Sequence, residues 1–186
     1  KLVLLRWVLV SAALFWLFGA ELRAHWAAVR PRLAGIALMA ALGFTGFNGL
    51  FYVASLHTSG VNIGILQGSI PVFVLLLAYI AYGTRIGPVQ AAGVAATFAG
   101  VVLVATEGSP LRLLTLGVGL GDGLMLLACL LYAFYTTALQ RRPAIPGRAF
   151  FTLMAGIAAL TSLPFALLEA AVTAPGWPSA EGWAIT

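Results

Sequence analysis

The chain has 186 residues, of which 62% are apolar and 8% charged, and a formal net charge of +5. A soluble domain carries about 25% charged residues, and a chain of this size cannot hide so much apolar surface from water. A soluble globular domain is therefore excluded, as are disorder, collagen and a disulfide scaffold.

The mean hydropathy of +1.04 points to lipid as the solvent. The arginines sit in short clusters between apolar runs, the pattern of membrane orientation rather than of nucleic-acid binding. Six stretches reach the roughly 17–25 residues needed to cross the hydrocarbon: Leu2–Ala20, Leu33–Leu56, Val61–Tyr82, Pro88–Thr106, Leu120–Leu139 and Phe150–Thr173. They are too long and too evenly apolar for barrel strands, so the expected fold is an all-α polytopic membrane protein.

In the first span, Arg6 lies near the outer end, where it can snorkel to the headgroups. In the second, Thr45, Asn48, Tyr52 and Ser55 recur at steps of three, four and three and form one polar stripe. Such a stripe must face protein or water, either as interhelical hydrogen bonds or as the lining of a pathway. The third span carries Gly60, Gly64 and Gly68, glycines four apart that let a neighbouring backbone approach closely. A tight crossing that serves as pivot or gate is expected there, with a kink at Pro71. Asn62 and Gln67 fall about 140° apart by helical arithmetic and so do not line one cavity together.

In the fifth span, Asp122, Met125, Cys129, Tyr132 and Thr136 advance by three and four, with Tyr135 on an adjacent face. Aromatic and amide groups facing a cavity suit an organic solute with both apolar and polar parts, although Met and Tyr stripes more often serve packing than binding. Asp122 opens the span, where a helix N-terminus favours a carboxylate as a cap, with proton coupling as the alternative. His25 and His57 fall at interfaces, unpaired, and are expected to be solvated. Cys129, the single cysteine, can form no internal bridge.

Loop by loop, Arg23, Arg30 and Arg32 follow the first span, Arg85 the third, and Arg141, Arg142 and Arg148 the fifth. Only Arg112 falls on the other side, which makes the first side cytoplasmic. Trp16, Trp26, Trp177 and Trp183 lie near span ends. Lys1 leads directly into an apolar run and Trp183-Ala184-Ile185-Thr186 reads as the start of another, so a fragment of a longer polytopic protein is expected.

The segment Leu66-Gln67-Gly68-Ser69-Ile70-Pro71-Val72-Phe73, followed by Gly83-Thr84-Arg85, Gln90-Ala91-Ala92-Gly93 and Ala99-Gly100-Val101-Val102-Leu103, resembles the EamA-type drug/metabolite transporter superfamily. The stretch Tyr52-Val53-Ala54-Ser55-Leu56-His57-Thr58-Ser59 is similar to that family's third helix end. The resemblance covers nearly the whole chain and is strongest from Phe44 to Ala105. It implies ten helices built as two inverted repeats, of which this chain holds helices two to seven and the start of eight. Residues 1–108 would then be most of the first repeat and 117–186 the beginning of the second. Thr84 stands where many members carry an acidic residue, so no acidic partner for Arg85 is implied there. Ala12-Ala13-Leu14 with Glu21 in the first span and Ala158-Ala159-Leu160 with Glu169 in the sixth support a repeat whose counterparts cross in opposite directions.

Gly119-Leu120-Gly121-Asp122 matches the string of aspartyl intramembrane proteases, but that chemistry needs two carboxylates sharing a proton, and Asp122 is the only Asp. No zinc motif is present, so no enzyme, no metal and no cofactor is expected. The expected function is a secondary transporter, a permease or exporter of small organic metabolites working by alternating access in a bacterial inner membrane. A lipid or polyisoprenoid carrier of similar architecture is the alternative, with a non-transporting scaffold behind it. The pathway residues are Thr45, Asn48, Tyr52, Gln67, Tyr132 and Thr136, with Gly60, Gly64, Gly68 and Pro71 for packing or gating. The partners are a small-molecule solute and membrane lipid, with a homodimer as an allowed assembly.

Overall fold

In the computed structural model, residues 2–105 and 119–172 are described, and every regular element among them is helical. The expectations at Arg112, Trp177 and Trp183, and the ends of both proposed repeats, lie outside the described residues. Helix α1, Leu2–Ala24, ends at His25, whose Nδ1 is bonded to the Glu21 carbonyl at 2.9 Å. The same carbonyl accepts the His25 backbone N–H at 3.3 Å, so the half-buried ring is held at the helix end and is not the solvated side chain the sequence suggests.

The second span begins earlier than its hydropathy indicates. Helix α2, Trp26–Val29, passes through a 3-10 turn, Arg30–Arg32, into α3, Leu33–Ala40. Pro31 sits in the first turn of that 3-10 segment, where its missing N–H is not needed. A π-helical turn, Ala41–Gly46, then leads into α4, Phe47–Ser55. Ser59 caps α5, Gly60–Gln67, by accepting the Asn62 N–H at 3.1 Å. Helix α6, Ile70–Tyr82, stops at Gly83, whose φ of +63° is the left-handed stop that glycine supplies. Helix α7 is Pro88–Ala105, α8 is Leu120–Ala138 followed by a 3-10 turn, Leu139–Arg141, and α9 is Gly147–Val172 with Pro164 inside it.

Among the described residues, five stretches are long and apolar enough to cross a membrane: Leu2–Ala24, Trp26–Ser55, Gly60–Tyr82, Leu120–Arg141 and Gly147–Ala170. Helix α7, with 18 residues, reaches the lower end of the spanning range. The fold is an all-α polytopic membrane fold. Hydroxyls in these helices bend back onto their own backbone, as Ser11 to Val8, Thr97 to Gly93 and Thr152 to Arg148, because lipid offers them no partner.

The described residues form two compact units, 2–45 with 141–172 and 46–105 with 119–140. In the first, α1 and α9 pack antiparallel. The Arg148 guanidinium donates to both Glu21 carboxylate oxygens, at 2.6 and 2.9 Å, and lies over the Phe18 ring. Farther along, Phe15 lies against Gly156. The interior holds small side chains, Ala149, Ala155 and Ala158, which let helices approach closely where lipid supplies no hydrophobic drive. Trp7 stacks on Phe44 at 4.7 Å, and Phe44 meets the edge of Phe151. In the second unit, α4, α5 and α6 all pack on α8, around the fully buried Ala54, Met125, Ala128 and Cys129.

Candidate functional site

The third membrane stretch, Gly60–Tyr82, loses its regular α-helical bonding at Gly68–Ser69, although both residues keep right-handed helical angles. Pro71 has no N–H to give the Gln67 carbonyl, its partner one turn back. The chain instead breaks at Gly68–Ser69, and Pro71 falls in the first turn of α6. The Leu66 carbonyl gathers the freed donors: it accepts from the Ser69 N–H at 3.0 Å, the Ser69 hydroxyl at 2.5 Å and the Cys129 thiol at 3.5 Å. Gly68 is buried, and Gln67 and Ser69 are half-buried beside it. The motif Gly-Ser-Ile-Pro signals this break, and Ser69 is the functional candidate that the polar-stripe reasoning passed over.

One helical turn along α8 from Cys129, Tyr132 meets Phe47 of α4 at 5.1 Å and Tyr135 at 5.5 Å. Tyr132, Tyr135 and Thr136 are half-buried, and the Thr136 hydroxyl donates to the Tyr132 carbonyl at 2.9 Å. Asn48 is half-buried on α4, and Tyr52 is exposed with its ring against Phe51. Asn48, Tyr52, Gln67, Tyr132 and Thr136 thus lie in one unit. Phe47 joins them through ring packing, which a polar-residue count does not register.

Thr45 belongs to the first unit. It is buried, and its hydroxyl donates to the Ala158 carbonyl at 3.3 Å and shares a 2.6 Å bond with Thr161. That is the interhelical use of a stripe residue. The π-helical turn that holds Thr45 also departs from the regular α-helical spacing on which a single Thr45–Ser55 stripe depends.

The start of α8 is held tightly. The Asp122 carboxylate accepts from the Thr58 hydroxyl, from Asn62 Nδ2 at 3.1 Å and from the Gly119 N–H at 2.9 Å. The last of these is the cap expected of it. Asn62 is spent here, away from Gln67. A Cβ on Gly121 would lie 2.6 Å from the His57 carbonyl carbon, 2.7 Å from its oxygen and 2.9 Å from the Ala54 oxygen. At Gly60 and Gly64, by contrast, no described atom lies within 4 Å of an added Cβ. At those two positions of the glycine row no close crossing is made among the described residues, whereas Gly68, the third, is buried. Among the described residues a close crossing of this unit is made at Gly121, which stands four residues after Gly117 in the sequence.

These helix ends sort as the arginine count requires. The turn after α4 meets the start of α8 through Asp122, while the Tyr82 hydroxyl, at the end of α6, donates to the Thr137 carbonyl near the end of α8 at 3.2 Å. Among the described residues no group of three His, Cys, Asp or Glu side chains could hold a metal ion.

Residues 1–106 match the family model of the EamA-like transporters. The uncharacterized transporter YyaM of Bacillus subtilis (strain 168) is 31% identical over 107 residues, which cover 58% of this chain and 35% of that protein. The chain thus spans about a third of the length of that curated relative. No solved structure gives a significant match.

Proposed function

The chain belongs to the EamA-like transporter family, and we propose that it is part of a secondary transporter that carries a small organic solute across a bacterial inner membrane by alternating access. The observation that carries this reading is the membrane stretch Gly60–Tyr82, interrupted at Gly68–Ser69. Broken spans place backbone and side-chain polar groups at depth in a membrane, and transporters build their substrate sites from them. Gln67 and Ser69 supply an amide and a hydroxyl at the break, and Tyr132 with Phe47 supplies an aromatic face one turn away. That combination suits a solute with both apolar and polar parts. Asn48, Tyr52 and Thr136 extend the pathway, and Gly68 with Pro71 forms its gate. Thr45 is left to packing.

The antiparallel pairing of α1 with α9 supports the further reading that 1–108 and 117–186 belong to two inverted repeats of a ten-helix protein. The test is counterflow in proteoliposomes holding the full-length protein, with radiolabelled amino acids, nucleosides and quaternary ammonium ions as solutes. At least one solute should accumulate, and Gln67→Ala and Tyr132→Ala should each slow its entry while the protein stays folded. A folded parent that moves none of these, but scrambles a fluorescent phospholipid, would establish the lipid-carrier alternative instead.

A further inference from the structure

Three helix ends of the first unit converge on its arginine-rich side, because α1 and α3 both pack on α9. Glu21 pairs with Arg148, so Arg23, two residues farther along α1, lies level with the start of α9. Thr45 reaches Ala158 and Thr161 on α9. Counting thirteen residues back along both chains brings Arg32 level with 145–148. The turn before α9 is fixed, with Pro143 and Ile145 buried and the Ile145 N–H on the Pro143 carbonyl at 2.9 Å. From this turn Arg142 folds over the start of α9, its Nη1 3.7 Å from where a Cβ on Gly147 would lie. Arg23, Arg32 and Arg142 are all exposed.

The charge at this end is not balanced within the unit. Glu21 is the only acidic residue in 2–45, and both its oxygens are taken by Arg148. The only acid in 141–172 is Glu169, about 30 Å farther along α9. Membrane orientation needs only a count of basic residues on one side, whereas their convergence from three helix ends is a property of the fold. Guanidinium forks match phosphate oxygens, and basic pockets between membrane helices bind anionic headgroups. Trp26, exposed at the same end, is the residue type that sits at headgroup level. The phosphates nearest to such a face are those of the leaflet itself.

We propose that this face seats the headgroup of an anionic phospholipid from the adjoining leaflet, its phosphate held by Arg32 and Arg142 with Arg23 beside them. The seat does not depend on the transporter reading. Native mass spectrometry of the full-length protein, titrated with phosphatidylglycerol and with phosphatidylethanolamine of the same acyl chains, tests it. A basic residue beside anionic lipid contributes about fivefold, so two of them should make phosphatidylglycerol bind about 25-fold tighter. Arg32→Gln combined with Arg142→Gln should erase that difference. Arg142→Gln alone, at an exposed position, should lose about fivefold and stands in if the pair does not fold. Arg6→Gln removes the same charge about 25 Å from Arg23 along α1 and should leave the affinity within about twofold. Equal affinity for the two lipids would overturn the seat. So would an Arg6→Gln loss as large as that of the pair, which would mean that net charge alone attracts the lipid. Release of phosphatidylglycerol by excess inorganic phosphate would overturn the lipid assignment in favour of a free anion.

Discussion

At the scale of single residues, three glycines differ in what surrounds them. Gly121 faces backbone atoms that cannot swing aside, so Gly121→Ala must move one helix against another. Overpacking of this kind typically costs about 1–3 kcal/mol. At Gly156 the obstructing atoms, the nearest at 2.7 Å, belong to the Phe15 ring, which can rotate, so Gly156→Ala should cost clearly less. Gly64→Ala should melt closest to the parent, because no described atom lies within 4 Å of the new methyl. Thermal melting of the three full-length variants in one detergent checks the order, and a Gly64→Ala that melts below Gly121→Ala reverses it. Thr45 and Thr161 allow a second test. Interhelical bonds in membranes are worth about 0.6 kcal/mol on average and reach about 1.7, so a double-mutant cycle of Thr45→Val and Thr161→Val should give coupling in that range. Solute flux should be unaffected, since Thr45 serves packing.

At the scale of elements, the broken span is the feature on which the proposed mechanism turns. Pro71→Ala restores an N–H to the Gln67 carbonyl and removes the reason for the break. Helices α5 and α6 should then join into one. Amide exchange at residues 67–72 should slow about tenfold, and counterflow should slow with it. Unchanged exchange there would mean that Gly68 and Ser69 hold the break without the proline. The π-helical turn Ala41–Gly46 is another irregularity inside a membrane stretch. Neither irregularity divides its stretch in mean hydropathy, because apolar residues on both sides outweigh the few polar ones.

At the scale of the whole molecule, the arginine asymmetry predicts the sidedness of every described loop. Cysteines at Arg30, Arg141 and Ser59, placed one at a time in a Cys129→Ser background, test it with an impermeant thiol reagent on intact cells. Position 59 should label and positions 30 and 141 should not. The opposite pattern would invert the topology. The Glu21–Arg148 pair joins the end of α1 to the start of α9, so these ends share a side whichever way that experiment falls.

The sequence by itself determined the solvent, the helices, their approximate limits and their alternation, because lipid imposes a minimum length and internal hydrogen bonding on any chain that crosses it. It also determined the family, through motifs whose order and spacing survive in one dimension, and it placed Asp122 as a cap. What only the tertiary structure decided was the use of each polar or small residue once the helices met. Thr45 was spent on Thr161 and Ala158, Asn62 on Asp122, and Gly121 rather than Gly64 took the close crossing. Helical spacing says which residues share a face, but an apolar membrane gives every face the same hydrophobic reward. The choice among faces is then made by shape and by hydrogen-bond partners far apart in the chain.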